Sequence, residues 1–110
     1  MDTNTATLAF SALSQPLRLD VFRLLIKAGE DGMQAGDIAT TLGAKQNTMS
    51  ANLSVLHRAG LIRNQREGRV IRYFADFDGT RGLLQFLMQD CCGGNPKACQ
   101  PILAEIACHV

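Results

Sequence analysis

The sequence predicts a mainly α-helical domain that carries one β-hairpin. Three observations support this fold class. Apolar residues recur at helical spacing in four segments before residue 60, and a run rich in arginine, β-branched and aromatic residues follows, with a glycine near its middle. A last apolar segment then returns to helical character. Because 110 residues suffice for one domain and no linker-like stretch divides them, we expect residues 1–110 to fold as a single domain.

The first two predicted helices lie before residue 30. Residues 5–14 form the first of them. Pro16 suits the first turn of the second helix, because the N–H that proline lacks has no partner at that position. Gly29 and Gly32 end the second helix. The stripe of this helix that faces the core consists of Leu17, Val21, Leu24 and Leu25.

Two short helices joined by a tight turn follow, at residues 34–42 and 46–58. At 100° per residue, the second of this pair places Met49, Leu53 and Leu56 in one narrow arc. Small or polar side chains dominate the opposite arc: Asn47, Ser50, Ala51, Ser54 and Arg58. Small side chains let a helix backbone approach a DNA groove closely, so this pair predicts a helix-turn-helix whose second helix enters the major groove.

A β-hairpin and a last helix complete the predicted fold. Strands at Leu61–Arg66 and Arg69–Phe77 flank the turn Glu67-Gly68. Asp78 is the expected cap of a helix at 79–91, which is apolar around much of its circumference. A helix of that kind needs a second surface to cover it, so we expect a symmetric dimer.

Basic residues cluster in one segment of a chain whose net charge is only +1. From Lys45 to Arg72 there are six basic residues and one acidic residue, Glu67, so this segment has a net charge of +5 and the rest of the chain −4. Such polarisation is typical of a protein that binds nucleic acid with one face. A solvated surface whose charges cluster by chance is the alternative.

The fourth helix and the hairpin tip supply the candidate DNA contacts. Asn and Gln can pair with adenine, and Ser and Thr can bond several base edges. The candidates on the helix are Gln46, Asn47, Thr48, Ser50, Asn52 and Ser54. Capping of the helix by Gln46 or Asn47 is an alternative role that does not exclude DNA contact. Arg66 and Arg69 would bind phosphate or enter a minor groove, unless the tip is merely solvated.

Four linked motifs occur in one order along residues 8–90: Leu13–Leu19, the helix pair through Leu42-Gly43, the run Gln46–Gly60 and the hairpin Gln65–Arg69. In these motifs the chain resembles the ArsR/SmtB winged-helix repressors. The resemblance implies a winged helix-turn-helix of four helices, a hairpin and a fifth helix, with room for a sixth. It also implies a homodimer, built on the first and last helices, that blocks transcription from a near-palindromic DNA operator until an inducer binds.

All four cysteines lie in the last 20 residues: Cys91, Cys92, Cys99 and Cys108. We expect the chain to be cytoplasmic, without a membrane partner, because it has neither a membrane-length apolar run nor the features of a signal peptide. Disulfides are rare in that compartment. The turn-forming stretch Gly93–Pro96 can bring Cys99 back toward the adjacent pair. Three thiolates favour a soft ion, and As(III) or Sb(III) suits them because its lone pair leaves a three-coordinate pyramid.

The third helix lacks the Cys-x-Cys pair that many arsenic-sensing members of this family carry there. The chain instead resembles a subgroup of arsenite-responsive repressors with a Cys-Cys pair and a third cysteine after the last main helix. That resemblance implies that Cys91, Cys92 and Cys99 bind As(III) or Sb(III) as inducer, without an organic cofactor. Zn or Cd with Cys108 as a fourth ligand, a redox switch and purely structural thiols remain alternatives.

Two readings from other classes remain open beside the repressor. One is a small thiol enzyme that uses Cys91 and Cys92. Both thiols follow a helix C-terminus, where the helix dipole disfavours a thiolate, and no acid–base pair or phosphate-binding loop supports catalysis. We therefore do not expect an enzyme. The other is a winged helix used only for protein contacts, which salt-insensitive, DNA-free behaviour would favour.

Overall fold

The computed structural model describes residues 1–89 and residue 105. Within residues 1–89 the chain forms five α-helices, a short 3₁₀ turn and a three-stranded antiparallel sheet. In chain order the elements are α1 (Thr3–Leu13), α2 (Pro16–Ala28), the 3₁₀ turn (Gly29–Asp31), β1 (Met33–Gln34), α3 (Ala35–Leu42), α4 (Gln46–Arg58), β2 (Ile62–Glu67), β3 (Val70–Ala75) and α5 (Phe77–Met88). The predicted winged helix-turn-helix is confirmed. None of these helices is long and apolar enough to cross a membrane.

The short strand β1 is not predicted by the sequence. It pairs with β3, with Met33 opposite Tyr73, so the strand order in the sheet is β1-β3-β2. Gly32, at φ 61°, turns the chain into this strand. A Cβ there would lie 2.5 Å from the carbonyl oxygen of Tyr73 and 2.6 Å from the Phe74 ring. Because glycine has no Cβ, Gly32 lets the backbone pass close to β3. This role adds to the one predicted from the sequence, which was to end α2.

The hairpin turn and the start of α5 differ from their predicted positions. Glu67 pairs with Val70, so the two-residue turn is Gly68-Arg69 rather than Glu67-Gly68, and Gly68 has φ 64°. Asp76, not Asp78, is the N-cap of α5: its carboxylate accepts a hydrogen bond from the amide of Gly79 at 3.0 Å. Asp78 was the wrong choice because the helix begins as soon as β3 ends. The helix also ends earlier than the predicted residue 91: its last residue is Met88, and Gln89 is a C-cap with non-helical backbone.

The core lies where α2, α3 and α4 meet the sheet. Its most deeply buried side chains are Val21, Leu25, Ile38, Met49, Leu53, Leu56 and Leu61. The inward arc predicted for the fourth helix is confirmed. By contrast, the fully buried residues of α1 are all alanines: Ala6, Ala9 and Ala12. These small side chains bring the α1 backbone close to the core and leave the larger Leu8 and Phe10 exposed.

The N-terminus of α5 rests on the turn that ends α4. The amide of Asp76 donates to the carbonyl of Leu61 at 2.9 Å. A Cβ added to Gly79 would overlap the carbonyl oxygen of Gly60, so glycine is required there for this close approach. Helix α5 is thus in direct backbone contact with the turn that follows α4.

Candidate nucleic-acid interface

The outer face of α4 is polar, exposed and without carboxylates. Its exposed side chains are Gln46, Asn47, Thr48, Ser50, Ala51, Ser54, His57 and Arg58. Ser50 and Ser54 point to solvent, as the helical periodicity predicts. The helix has no acidic residue in its first turn and two basic residues in its last turn. A DNA phosphate that approaches this face therefore meets no carboxylate of α4.

The first turn of α4 leaves most of its polar groups available. Lys45 occupies the N-cap position without a side-chain capping bond. Asn47 accepts a hydrogen bond from the amide of Thr48 at 2.9 Å, which satisfies one N–H of the first turn. Of the two residues expected to cap the helix, Asn47 therefore bonds one first-turn amide, although it is not the N-cap residue. Gln46 makes no capping bond. The unbonded N–H groups and the positive end of the helix dipole favour an anion at this end.

Asn52 does not belong to the exposed face. Its side chain is only 8% exposed and is turned toward α2. Its Oδ1 accepts from Arg18 Nη1 at 3.2 Å, and its Nδ2 donates to the carbonyl of Thr48 at 3.1 Å. The prediction that Asn52 reads base edges is therefore wrong, because both halves of its amide are bonded within the protein. On a helical projection Asn52 lies about 60° from Met49, at the border of the buried arc.

Arg66 and Arg69 are exposed at the tip of the hairpin, as expected. Arg69 lies in the turn itself, and the Nε of Arg66 donates to the carbonyl of Gly68 at 3.1 Å. Both positive charges lie at the outer end of the β2–β3 hairpin, which we call the wing.

Two other arginines of the basic segment are used within the protein. The guanidinium of Arg63 lies over the Phe74 ring, 4.3 Å from its centroid. The Nε of Arg72 pairs with a carboxylate oxygen of Glu67 at 3.0 Å, and its Nη1 donates to the carbonyl of Asp31 at 3.1 Å. The segment's net charge of +5 therefore overstates what a nucleic acid would meet, since part of it holds the wing against the body of the domain.

A cleft of about 310 Å³ separates the wing from α4 and the start of α3. Gln46 and Ser50 line it from the helix, and Arg69 lines it from the wing. Three of the predicted contact residues thus share one continuous surface. Thr48 lies on the opposite flank of α4, toward α2, while Asn47 and Ser54 lie between the two flanks.

A second exposed surface is apolar. Leu8 and Phe10 of α1 are 53% and 42% exposed, and Leu84 and Leu87 of α5 are 45% and 52% exposed. The two helices also contact each other. Leu84 and Leu87 are three residues apart and so share one face of α5, and exposed apolar side chains placed together mark an interaction surface.

The predicted thiol site lies outside the described residues, as do all four cysteines: Cys91, Cys92, Cys99 and Cys108. In the part of the chain that the structure describes, no three His, Cys, Asp or Glu side chains come together as a metal ion would require.

Comparisons with known proteins agree on the kind of domain. A family model described as a helix-turn-helix domain matches residues 13–65. The "Putative arsenical resistance operon repressor ArsR2" of Halobacterium salinarum is 34% identical over 77 residues, which cover 70% of this chain and 63% of that protein. The chain thus spans less than two thirds of the curated relative that it matches.

Solved structures extend the likeness to the whole described fold. A homodimeric winged helix-turn-helix DNA-binding domain from Mycobacterium bovis, described as a possible ArsR-family transcriptional regulator, is 27% identical with a TM-score of 0.64, over 84% of this chain and 85% of that one. An ArsR-like transcriptional regulator from a Rhodococcus species is 23% identical with a TM-score of 0.70, over 97% of this chain and 96% of that one. At that identity the second comparison supports the fold alone.

Proposed function

Because this chain belongs to the ArsR/SmtB family of winged helix-turn-helix transcription regulators, we propose that it is a cytoplasmic repressor that binds a near-palindromic operator as a homodimer. One observation carries the proposal: the exposed, carboxylate-free face of α4 lies beside a wing tip with two exposed arginines. A helix with small outer side chains fits the major groove, and arginines at a hairpin tip fit the flanking phosphates or minor groove.

The two parts of this interface have different tasks. Gln46, Asn47 and Ser50 lie in the first turns of α4, where base edges are read in helix-turn-helix proteins. Thr48 and Ser54 can add bonds to base edges or to nearby phosphates. Arg66 and Arg69 attract the DNA phosphates, and this contribution to affinity depends little on the base sequence of the DNA. Specificity therefore comes mostly from the helix and affinity mostly from the wing.

A second copy of the chain is the proposed partner of the apolar surface on α1 and α5. Apolar side chains as exposed as Leu84 and Leu87 become stabilising when another protein covers them. The similar domain from Mycobacterium bovis is a homodimer. Two copies would place their α4 helices about 34–36 Å apart, one turn of the duplex, which accounts for the near-palindromic operator.

Trivalent arsenic or antimony is the proposed inducer, held by Cys91, Cys92 and Cys99. Support comes from the donor set, since three soft thiolates suit such an ion, and from the name of the Halobacterium salinarum relative. When bound, the ion would join three positions that follow α5 in the chain. Because α5 rests on the backbone of Gly60 at the end of α4, a change at the far end of α5 can reach the reading helix through packed backbone. Zn or Cd with Cys108 included, or oxidation of the thiols, is the second candidate signal.

One titration tests both the DNA binding and the inducer. A labelled duplex, selected from a random library by the wild-type dimer, is titrated with the protein in the presence of arsenite, antimonite, cadmium or zinc. Couplings between inducer and DNA are typically about 1–3 kcal/mol, so saturating arsenite should weaken DNA binding by about 5- to 150-fold. Cys91→Ser and Cys99→Ser should stay on the DNA, and Cys108→Ser should respond like the wild type.

The outcomes separate the candidates. Release by cadmium or zinc but not by arsenite would favour the metal alternative, and release only after oxidation would favour a redox switch. An affinity unchanged by all of these would refute induction through the cysteines while leaving the repressor standing. Failure to select any duplex would refute DNA binding itself and favour a winged helix that serves protein contacts.

A further inference from the structure

Asn52 is the buried polar side chain of the described residues, and it lies on the proposed reading helix. The orientation of its amide is fixed by its partners. A guanidinium can only donate and a carbonyl can only accept, so Oδ1 must face Arg18 and Nδ2 must face the carbonyl of Thr48. Each end of the amide is therefore bonded to a partner inside the protein.

Arg18 connects this amide to the end of α1. Its Nε donates to the carbonyl of Ala12 at 2.7 Å, and its Nη1 donates to Asn52 at 3.2 Å. The backbone at Arg18 is held in turn, because its amide donates to the side chain of Gln15 at 2.9 Å in the cap of α2. A continuous series of hydrogen bonds thus runs from the last turn of α1, through α2, to the first turns of α4.

Directional hydrogen bonds of this kind can fix the rotation of α4 about its own axis, which apolar packing does not fix. Leu53 and Leu56 hold α4 against the core, but apolar contacts are non-directional and permit small rotations about the helix axis. Side-chain atoms lie about 5–6 Å from that axis, so a rotation of about 10° moves them by about 1 Å. Hydrogen bonds to base edges tolerate only about 0.5 Å in length. A rotation of that size is enough to spoil base reading.

We propose that Arg18 and Asn52 are positioning residues, which fix the rotation of α4 relative to α1 and so set base discrimination without touching DNA. The inference rests on the proposed function, because it concerns how the reading helix is held. It also links the helix proposed to form the dimer to the helix proposed to read DNA in each copy.

The test compares how well variants discriminate between two duplexes. One duplex is selected by the wild-type protein, and the other is a scrambled duplex of equal length and composition. Arg18→Met removes the guanidinium and keeps an unbranched apolar stem, and Asn52→Leu removes both amide bonds. Each should lower the ratio of selected to scrambled affinity by about tenfold, the scale of one misread base pair. The slope of log affinity against log salt concentration should not change.

Three further variants separate a positioning role from a loss of charge or of stability. Arg23→Met removes an exposed arginine from the same helix and should leave the ratio unchanged. Val21→Ala weakens the core beneath α2 and should lower the melting temperature without changing the ratio. If Asn52→Leu does not fold, Asn52→Asp replaces it: this variant keeps the acceptor for Arg18, loses the donor to Thr48, and should lower the ratio in part.

A double variant and the salt slope decide the result. Because the two side chains act as one unit, Arg18→Met combined with Asn52→Leu should lose no more discrimination than either single change. Unchanged discrimination in the folded variants would overturn the inference while the wild type still discriminates. A salt slope that falls by about 0.9 in Arg18→Met, with the ratio intact, would instead make Arg18 a phosphate contact. A wild-type protein that fails to discriminate would overturn the proposed function and this inference together.

Discussion

A single aspartate, Asp76, caps the N-terminus of α5. Asp76 and Asp78 both precede apolar helical sequence, but only Asp76 bonds a first-turn amide, that of Gly79. Asp76→Ala should lower the free energy of unfolding by about 1 kcal/mol, the usual cost of losing an N-cap. Asp78→Ala is the matched control: its side chain is 88% exposed and pairs only with Arg81, so the change should stay within about 0.5 kcal/mol. Urea denaturation measures both, and equal losses would contradict the assignment of the cap.

The cap of α1, Asp2, should make the stability of this helix end depend on pH. Hydrogen bonds from Thr5 hold the pKa of the Asp2 carboxyl below its ordinary value of 3.8. Because the folded-state pKa is depressed, the cap contributes fully above pH 3.8 and is lost as the pH falls through the lower folded value. The NMR shift of the Thr5 amide should titrate below pH 3.8, and Asp2→Asn should abolish that titration. A midpoint at or above 3.8 would contradict the bond.

Asn52 shows what could not be predicted for individual residues. The outward positions of Ser50 and Ser54 follow from helical periodicity, because Met49, Leu53 and Leu56 define the opposite arc. Asn52 lies at the border of that arc, and its partner Arg18 is 34 positions away in the chain. No local pattern distinguishes a border asparagine that bonds a distant arginine from one that faces solvent.

At the scale of elements, the wing should control the salt dependence of DNA binding. Arg66→Ala and Arg69→Ala each remove an exposed charge from the tip, and each should lower the slope of log affinity against log salt by about 0.9. Arg81→Ala, on α5, should leave the slope unchanged. Binding isotherms over a range of salt concentrations measure all three. An unchanged slope in both wing variants would place the phosphate contacts elsewhere on the domain.

The helices could be predicted more closely than the sheet. The fourth helix has the predicted bounds because two complete turns of apolar spacing and a glycine stop define it. The hairpin turn lies one residue later than predicted, which moves the cross-strand partner of Arg66 by two positions, from Arg69 to Ile71. The sequence could not fix this register, since β2 is exposed along five of its six positions and has no alternating pattern. The two-residue strand β1 is too short for any pattern to show.

At the scale of the whole molecule, the proposed dimer depends on an apolar surface formed by two distant segments. Leu84→Glu combined with Leu87→Glu should yield a folded monomer, because both side chains are exposed in one copy. The affinity for the selected duplex should fall by about 100-fold as the second contact is lost. Leu19→Glu, on α2, is the control and should remain a dimer. Sedimentation and circular dichroism test this, and a double variant that remains a dimer would refute the proposed surface.

The order of the elements along the chain was sufficient to predict the fold, because a helix pair followed by a basic hairpin has few compact arrangements. The geometry of the inducer site could not be predicted in the same way. It depends on residues 91–99, which lie outside the described part of the chain, and spacing alone does not fix how three sulfurs meet.

The most direct measurement is NMR mapping of the ¹⁵N-labelled protein with the selected duplex. We expect the amides that shift on binding to lie in α4, from Gln46 to Ser54, and at the wing tip, from Arg66 to Arg69. The scrambled duplex should affect mainly the wing. Shifts confined to α1 and α5, with α4 unaffected by the selected duplex, would contradict the claim that α4 reads DNA.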